Sequence, residues 1–368
     1  AAFGGPLVDG AALLGERAAL ARLGRRGSVS PGGACRLLRA ADGWIAVDLP
    51  RAGDVEVANA WLADPGLDAG DPWPRLAAAV AAHPAGPLVE DAAVLGLAVS
   101  RVGEIDEPLS PPPRPTDTTV VNGGFDRPPL VVDLSSLWAG PLCAHLLGLA
   151  GARVVKVESI ERPDGARRGP AAFFDLLHHR HESVALEFAS SHGRDALRAL
   201  FDAADVVVEA SRPRALEQLG FGADEYVARG VVWVSVTGYG RGAGRNRIGF
   251  GDDVGIAAGL HAGTQDAPGF CGDAIADPIA GLCAAVAALA ALRERTGRLL
   301  DISMAAAARA ARGDDRADER VAELRVGRWV LDGVTVAPPR ARPVVGPAPG
   351  LGAHNEQVMA ELGVRRWD

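Results

Sequence analysis

LVVDLSSLWAGPLCAHLLGLAGARVVKVE, residues 130–158, is the stretch whose reading decides the architecture. Leu130 to Leu134 is a short β-branched run of strand character, Pro141 to Leu149 reads as a helix, and Arg153 to Glu158 is a second strand. Strand, helix and strand at this spacing form a βαβ unit with parallel strands and a right-handed crossover. Working outward, strands are expected at Ser183 to Phe188, Asp205 to Glu209 and Val231 to Val236. A helix at Gly193 to Ala203 and helical pieces up to Ala228 separate them. The predicted fold class is α/β, a doubly wound, mostly parallel, Rossmann-like sheet with helices on both faces. A helix beginning near Asp277 and a strand at Arg298 to Ser303 complete a domain bounded at 129–311.

The residues before this domain differ in kind. Gly43 to Leu49 alternates like a strand, helical patterns follow at Asp54 to Leu62, Trp73 to Ala82 and Leu88 to Leu95, and Leu97 to Val102 is a further strand. Residues 1–106 therefore read as a smaller α+β domain, N-terminal to the sheet. Glu107 to Pro129 carries seven prolines among polar residues, and 107–128 is expected to be an extended linker. Residues 312–368 form a C-terminal extension that packs back on the large domain, with a charged helix at Gly313 to Arg325 and an extended Pro/Gly-rich run at Pro338 to Gly352.

At 368 residues the chain is too long for a minimal binding module. Its 38 basic and 46 acidic residues leave a formal charge of −8, so no global field draws it to nucleic acid or to an anionic membrane. Lys156 is the only lysine, so every other fixed cation is an arginine, which binds phosphate or carboxylate through a rigid fork. Cys35, Cys143, Cys271 and Cys283 are too scattered for a disulfide framework or a zinc ribbon, which fits free thiols in a reducing cytoplasm. Pro278 to Leu292 is the most apolar run and reads as a core helix. The opening residues Ala1 to Pro6 carry neither Met nor a basic n-region. No signal peptide is expected there, and residue 1 need not be the natural start.

Three segments carry candidate chemistry. Asp133 to Pro141 closes a strand and opens a helix, where exposed amides can receive a phosphate or the turn can simply be tight. Gly238-Tyr-Gly-Arg-Gly-Ala-Gly244 lets backbone approach a ligand but is no nicotinamide fingerprint. In Gly272-Asp-Ala-Ile-Ala-Asp-Pro-Ile-Ala-Gly281, Asp277 heads the apolar helix. It either caps orphan amides or serves as a carboxylate nucleophile. His178, His179 and His181, with His192 further on, read as a solvated polar turn. His178 and His181 stand three residues apart, but no carboxylate or cysteine completes a metal set at an evident spacing, so no metal is expected.

Together these segments resemble the class III CoA-transferases, the CaiB/BaiF group that contains formyl-CoA transferase, carnitine CoA-transferase and α-methylacyl-CoA racemase. The resemblance is carried by Val132-Asp-Leu-Ser with Ala139-Gly-Pro, by Lys156-Val-Glu, and by Ala204-Asp-Val-Val-Val-Glu-Ala-Ser-Arg-Pro. Gln218-Leu-Gly-Phe, Ser235-Val-Thr-Gly-Tyr-Gly, the spacing of Gly272, Asp277 and Gly281, and Thr296-Gly-Arg-Leu-Leu-Asp-Ile-Ser-Met continue it in order. Leu351-Gly-Ala-His-Asn-Glu-Gln-Val adds a second patch near the C-terminus.

The resemblance implies an enzyme that exchanges CoA between an acyl-CoA thioester and a free carboxylic acid through a covalent intermediate on Asp277. It implies CoA contacts from Ala139, Gly140, Pro141, Lys156, Arg180, Arg212, Gly238 and Gly240, with loops Gly238 to Gly244 and Gly259 to Gly263 as oxyanion donors. No cofactor is expected to be bound permanently, because coenzyme A and acyl-CoA are substrates. A cytoplasmic homodimer is the expected form. An α-methylacyl-CoA racemase and a non-catalytic CoA-binding homologue are the alternatives, and Trp138 and Phe250 are candidate pocket walls or ordinary packing.

Three departures accompany the likeness. Phe250 stands where the racemase branch carries a histidine base, which favours transfer. The family's Asn-Arg-x-Lys-Arg-Ser stretch reads His178-His-Arg-His-Glu-Ser183 here. Leu38-Arg-Ala-Ala-Asp-Gly-Trp-Ile-Ala-Val and Leu95 to Val102 resemble the family's small domain, which normally follows the catalytic half and here precedes it. That order suits a rearranged chain or a fused duplicate whose first half is reduced.

Overall fold

The computed structural model describes residues 8–63, 66, 70–105, 127–211, 213–312, 323–331 and 333–364. Most of the Pro-rich 107–128 stretch, Arg212 and residues 313–322 lie outside the described residues. The N-terminal part begins with α1 (Gly10–Ala21), then β1 (Cys35–Ala40), β2 (Gly43–Asp48), α2 (Asp54–Leu62), α3 (Trp73–Ala81), α4 (Ala85–Leu95) and β3 (Ala98–Arg101). The three strands pair antiparallel in the order β1-β2-β3. Ile45, Val47, Leu76, Val80, Leu88 and Val99 fill a core of their own between this sheet and its helices.

The second part alternates as β4 (Leu130–Asp133), α5 (Ala139–Leu149), β5 (Arg153–Ser159), α6 (Ala171–His178), β6 (Glu182–Leu186), α7 (Ser191–Ala203), β7 (Val206–Glu209), α8 (Pro213–Gln218), α9 (Ala223–Ala228) and β8 (Val232–Thr237). It continues through α10 (Gly251–Ala257), the hairpin β9 (His261–Thr264) and β10 (Ala267–Phe270), α11 (Ala276–Glu294), β11 (Arg298–Ser303) and α12 (Met304–Arg312). Six strands form one parallel sheet ordered β11-β8-β7-β4-β5-β6. Side chains alternate between two cores: Val131, Val154, Val206 and Val234 face α5, α11 and α12, while Val132, Val155, Val207 and Trp233 face α7 and α9. Strand order reverses between β4 and β7, so a crevice opens there beyond the carboxyl ends of the strands, where ligands of such sheets bind.

Helix α11 is long and apolar enough to cross a bilayer, but more than half of that span is buried inside the protein. It is the core helix expected of Pro278 to Leu292. It approaches α5 so closely that a Cβ on Gly281 would meet the Ala139 carbonyl at 2.6 Å. The C-terminal part contains β12 (Glu323–Arg325), β13 (Arg328–Leu331), β14 (Val334–Thr335) and α13 (Asn355–Glu361). Strands β12 to β14 form a small antiparallel sheet, so the helix expected through Arg325 is replaced by a strand where the residues are described. Residues 336–350 carry neither helix nor strand, and α13 docks on the β6 edge through Val358 and Met359 and the Arg153–Glu361 ion pair.

The α+β part sits on α10. Backbone amides of Gly103 and Ile105 donate to Ile256 and Ala257, and the Ser100 hydroxyl donates to the Asp253 carbonyl at 2.7 Å. This contact brings the N-terminal part to the edge of the crevice.

Candidate active site

Asp277 is the second residue of α11, yet its carboxylate does not cap that helix. Its Oδ1 accepts the Ala139 amide at 3.3 Å, at the first position of α5. Its Oδ2 lies so near α10 that a Cβ on Gly251 would fall well inside van der Waals contact of it and 2.5 Å from the Ala274 carbonyl. Two positive helix ends, those of α5 and of α11 itself, therefore favour the anion. The carboxyl is half-buried between them.

Burial and three charged groups set its proton affinity. Burial pushes the Asp277 pKa up to about 7; Arg17 and the Ala139 amide work against the rise, while Asp252 and Asp273 add to it. Arg17 reaches in from α1 and forks onto Asp273 with hydrogen bonds of 2.7 and 2.6 Å. Its guanidinium lies over the Trp138 ring, 5.5 Å from the centroid. Asp252 is pushed up to about 6 by burial and by Asp273, and it accepts the Ala274 amide at 2.7 Å, bracing the turn before α11. Asp253 is raised to about 7 by burial and accepts the Phe250 amide at 2.6 Å.

Arg17, Asp252 and Asp253 were not legible as site residues. Arg17 meets a partner 256 positions away, which no local spacing encodes. The pair Asp252-Asp253 did leave a trace, two acids together inside the glycine-rich apolar run Ile248 to Leu260.

Of the expected CoA-contacting residues, Ala139, Gly140 and Pro141 form the buried first turn of α5, and Ser136 and Leu137 are the exposed residues before it. Leu137 has φ 70°, a left-handed conformation rare for a branched residue, and its amide donates to Asp164 at 3.0 Å. Such strain persists only where surrounding contacts hold it, and here they lead to Lys156.

Lys156 is 1% exposed. It points to the same face of β5 as Val154, donates to the Ser135 carbonyl at 2.8 Å and pairs with Asp164 at 3.0 Å. Burial works against its charge, but Asp133, Asp164 and Glu158 outweigh that and raise its pKa. The ammonium, expected among the CoA contacts, is enclosed by protein and holds the Ser135 to Leu137 turn that presents the Ala139 amide.

Arg180 is exposed on the turn into β6, at the amino end of that strand, whereas the crevice lies beyond the carboxyl ends. Gly238 abuts Gly249, where a Cβ would meet its Cα at 3.1 Å, one layer behind the Gly251 that faces Asp277. Gly240 has φ 84°, which only glycine adopts without strain, and its amide donates to Thr237 Oγ1 at 2.9 Å. The Arg241 amide donates to Asp301. The Gly259 and Leu260 amides close the end of α10 by bonding Ile256 and Gly255. These four amides are already engaged, while the Ala139 amide is the one that meets Asp277. Trp138 is 1% exposed and packs edge-on against Phe173, and Phe250 precedes α10 with Arg51 over its ring. Both are packing residues in the described structure.

The histidine turn differs most from expectation. His178 is 1% and His181 5% exposed, so it is a buried cluster and not a solvated turn. Asp133, at the end of β4, supplies the carboxylate that sequence spacing did not reveal: one ligating atom from each of Asp133, His178 and His181 lies within 4.8 Å of the others.

Comparison with known proteins agrees with the motif order. The CoA-transferase family III model matches residues 129–323, more than half of the chain. The chain is 31% identical over 210 residues to succinyl-CoA--D-citramalate CoA-transferase of Chloroflexus aurantiacus, covering 52% of this chain and 50% of that protein. It is 33% identical over 185 residues to (R)-2-hydroxy-4-methylpentanoate CoA-transferase of Clostridioides difficile, covering 45% and 46%. A CAIB/BAIF family protein from Brucella suis is 27% identical with a TM-score of 0.48, covering 51% of this chain and 55% of that one. The chain spans about half the length of the curated relatives it matches. With the family model matched across the whole parallel sheet, the chain belongs to the CoA-transferase family III.

Proposed function

We propose that this chain exchanges CoA between an acyl-CoA thioester and a free carboxylic acid, with Asp277 as the nucleophile. The observation that carries the reading is the setting of its carboxylate, raised to about 7, half-buried, with Oδ1 on the Ala139 amide and Oδ2 against Gly251. A carboxylate desolvated to this degree is a stronger nucleophile than one in water, yet it is ionised above neutrality. The relatives named as CoA-transferases support the same reaction class.

In the first step an Asp277 oxygen attacks the thioester carbonyl of the donor, the C–S bond breaks, and CoA leaves as a thiolate. The product is a mixed anhydride. The thiolate then attacks the Asp277 carboxyl carbon, releasing the donor as a free carboxylate and leaving an aspartyl-CoA thioester. In the tetrahedral species of that step the oxyanion sits on the former carboxylate oxygen, and Oδ1 already accepts the Ala139 amide at the positive end of α5. An acceptor carboxylate repeats the two steps in reverse and leaves with CoA, restoring Asp277. No proton is gained or lost overall, which suits a site whose acids are buried.

Ser136 and Leu137, exposed beside Ala139, are the residues we assign to contact with the CoA chain in place of Lys156. The racemase alternative has no support at Phe250, whose ring accepts no proton. A cytoplasmic location and a homodimer remain part of the proposal and rest on the scattered free cysteines and on the family likeness. The test is CoA exchange from a panel of acyl-CoAs to isotopically labelled carboxylic acids. Exchange that falls by at least about a thousandfold in Asp277→Asn, with the fold intact, supports the reading. Exchange retained in that variant overturns it.

A further inference from the structure

A second cluster of chemically competent side chains lies where α6 turns into β6, against the end of β4. The described residues there include three buried carboxylates, on Asp133, Glu158 and Asp164, facing the two cations Lys156 and Arg167. Three carboxyl groups thus face two cations. Glu158 is taken up by Arg167, and Asp164 by Lys156 at 3.0 Å. Asp133 is left over: its Oδ1 accepts from Ser135, but its Oδ2 accepts no hydrogen bond, and Lys156 stands 3.9 Å away, beyond hydrogen-bond reach.

His178 and His181 meet that carboxylate. His178 Nε2 is buried without a hydrogen-bond partner. The Nδ1 atoms of the two rings face each other at 3.2 Å. One of these nitrogens donates a hydrogen bond to the other; two imidazoles bound to a tetrahedral ion at about 2.0 Å hold their nitrogens about 3.3 Å apart, so an ion can replace that shared proton at nearly the same spacing.

We propose that Asp133, His178 and His181 bind one divalent transition-metal ion, with zinc or cobalt the class that two imidazoles and a carboxylate select. The ion gives the unpartnered Asp133 Oδ2 a partner. It ties the end of β4, from which the turn to Ala139 departs, to the end of α6. The site is independent of the transfer reaction assigned to Asp277.

The test uses the purified chain, stripped with a chelator, dialysed against Zn2+ or Co2+ alone and desalted. Bound metal is counted by elemental analysis, and bound Co2+ is followed by its visible absorption. One equivalent in the native chain, and Zn2+ binding at least about a hundredfold weaker in His178→Asn and His181→Lys, supports the site, since even outer-shell changes cost ten- to a hundredfold. His181→Lys is the variant that keeps the fold secure, because its ammonium gives Asp133 a partner in place of an ion. Less than a tenth of an equivalent in the native chain overturns the proposal. So does equal retention by native chain and His181→Lys, which places the metal elsewhere on the surface.

Discussion

Replacing Asp277 by Asn isolates what the protein gives up to hold this carboxyl. The substitution keeps the shape and leaves an oxygen for the Ala139 amide, but removes the titrating carboxyl. The rise of its pKa from 3.8 to about 7 means that between those values the native state binds the proton more tightly than the unfolded chain. Native stability therefore falls as pH rises through that window, and the full cost is present above it. At about 1.4 kcal/mol for each tenfold change in proton affinity, the cost is at most about 4.5 kcal/mol. The carboxyl is half-buried, and solvent screening brings the expected value to about 2–3 kcal/mol. Asp252 and Asp253 titrate in both proteins, so the difference between variant and parent reports Asp277. Urea unfolding followed by circular dichroism from pH 3.5 to 8.5 measures it. Asp277→Asn should match the parent near pH 3.5 and exceed it by about 2–3 kcal/mol above pH 7.5. Equal stability at pH 8, or a parent that gains on the variant as pH rises, refutes the account of a desolvated carboxylate.

Three further outcomes follow from the same geometry. Arg17→Gln removes the cation that holds the Asp277 pKa down, so the acid limb of kcat/KM, expected near pH 7, should move up by about one pH unit, as a pH–rate profile would record. Gly251→Ala drives a Cβ into Asp277 Oδ2 and the Ala274 carbonyl, and should cost about 1–3 kcal/mol in thermal or denaturant unfolding while lowering kcat at least about tenfold. Lys156→Met leaves Asp133 and Asp164 buried without their cation and should destabilise by about 3–5 kcal/mol in equilibrium unfolding, far more than loss of an exposed phosphate contact.

The parallel sheet was legible because its strands are consecutive β-branched runs and its helices are punctuated by glycine and proline. Val131 and Val132 point to different cores, and that two-sided burial is what a continuous apolar strand records. Asp277 was legible through its spacing between Gly272 and Gly281, but which helix it serves was not, since Ala139 lies 138 residues away. Lys156 was conspicuous as the single lysine, yet its burial was not legible. A charge inside a strand is read as solvent-facing by habit, and only the partners Asp133 and Asp164, brought in by two other segments, make burial tolerable. The same limit hid the histidine cluster, because the carboxylate that completes it comes from β4 and not from the local sequence.

The central claim is that Asp277 becomes covalently acylated and then carries CoA. Intact-protein mass spectrometry after mixing the chain with a panel of acyl-CoAs, with hydroxylamine or borohydride trapping and peptide mapping, tests it directly. The account predicts a CoA-derived adduct, or its trapped or reduced product, on the peptide bearing Asp277, absent from Asp277→Asn. CoA binding with no adduct on that peptide, under conditions where exchange is measured, would contradict it.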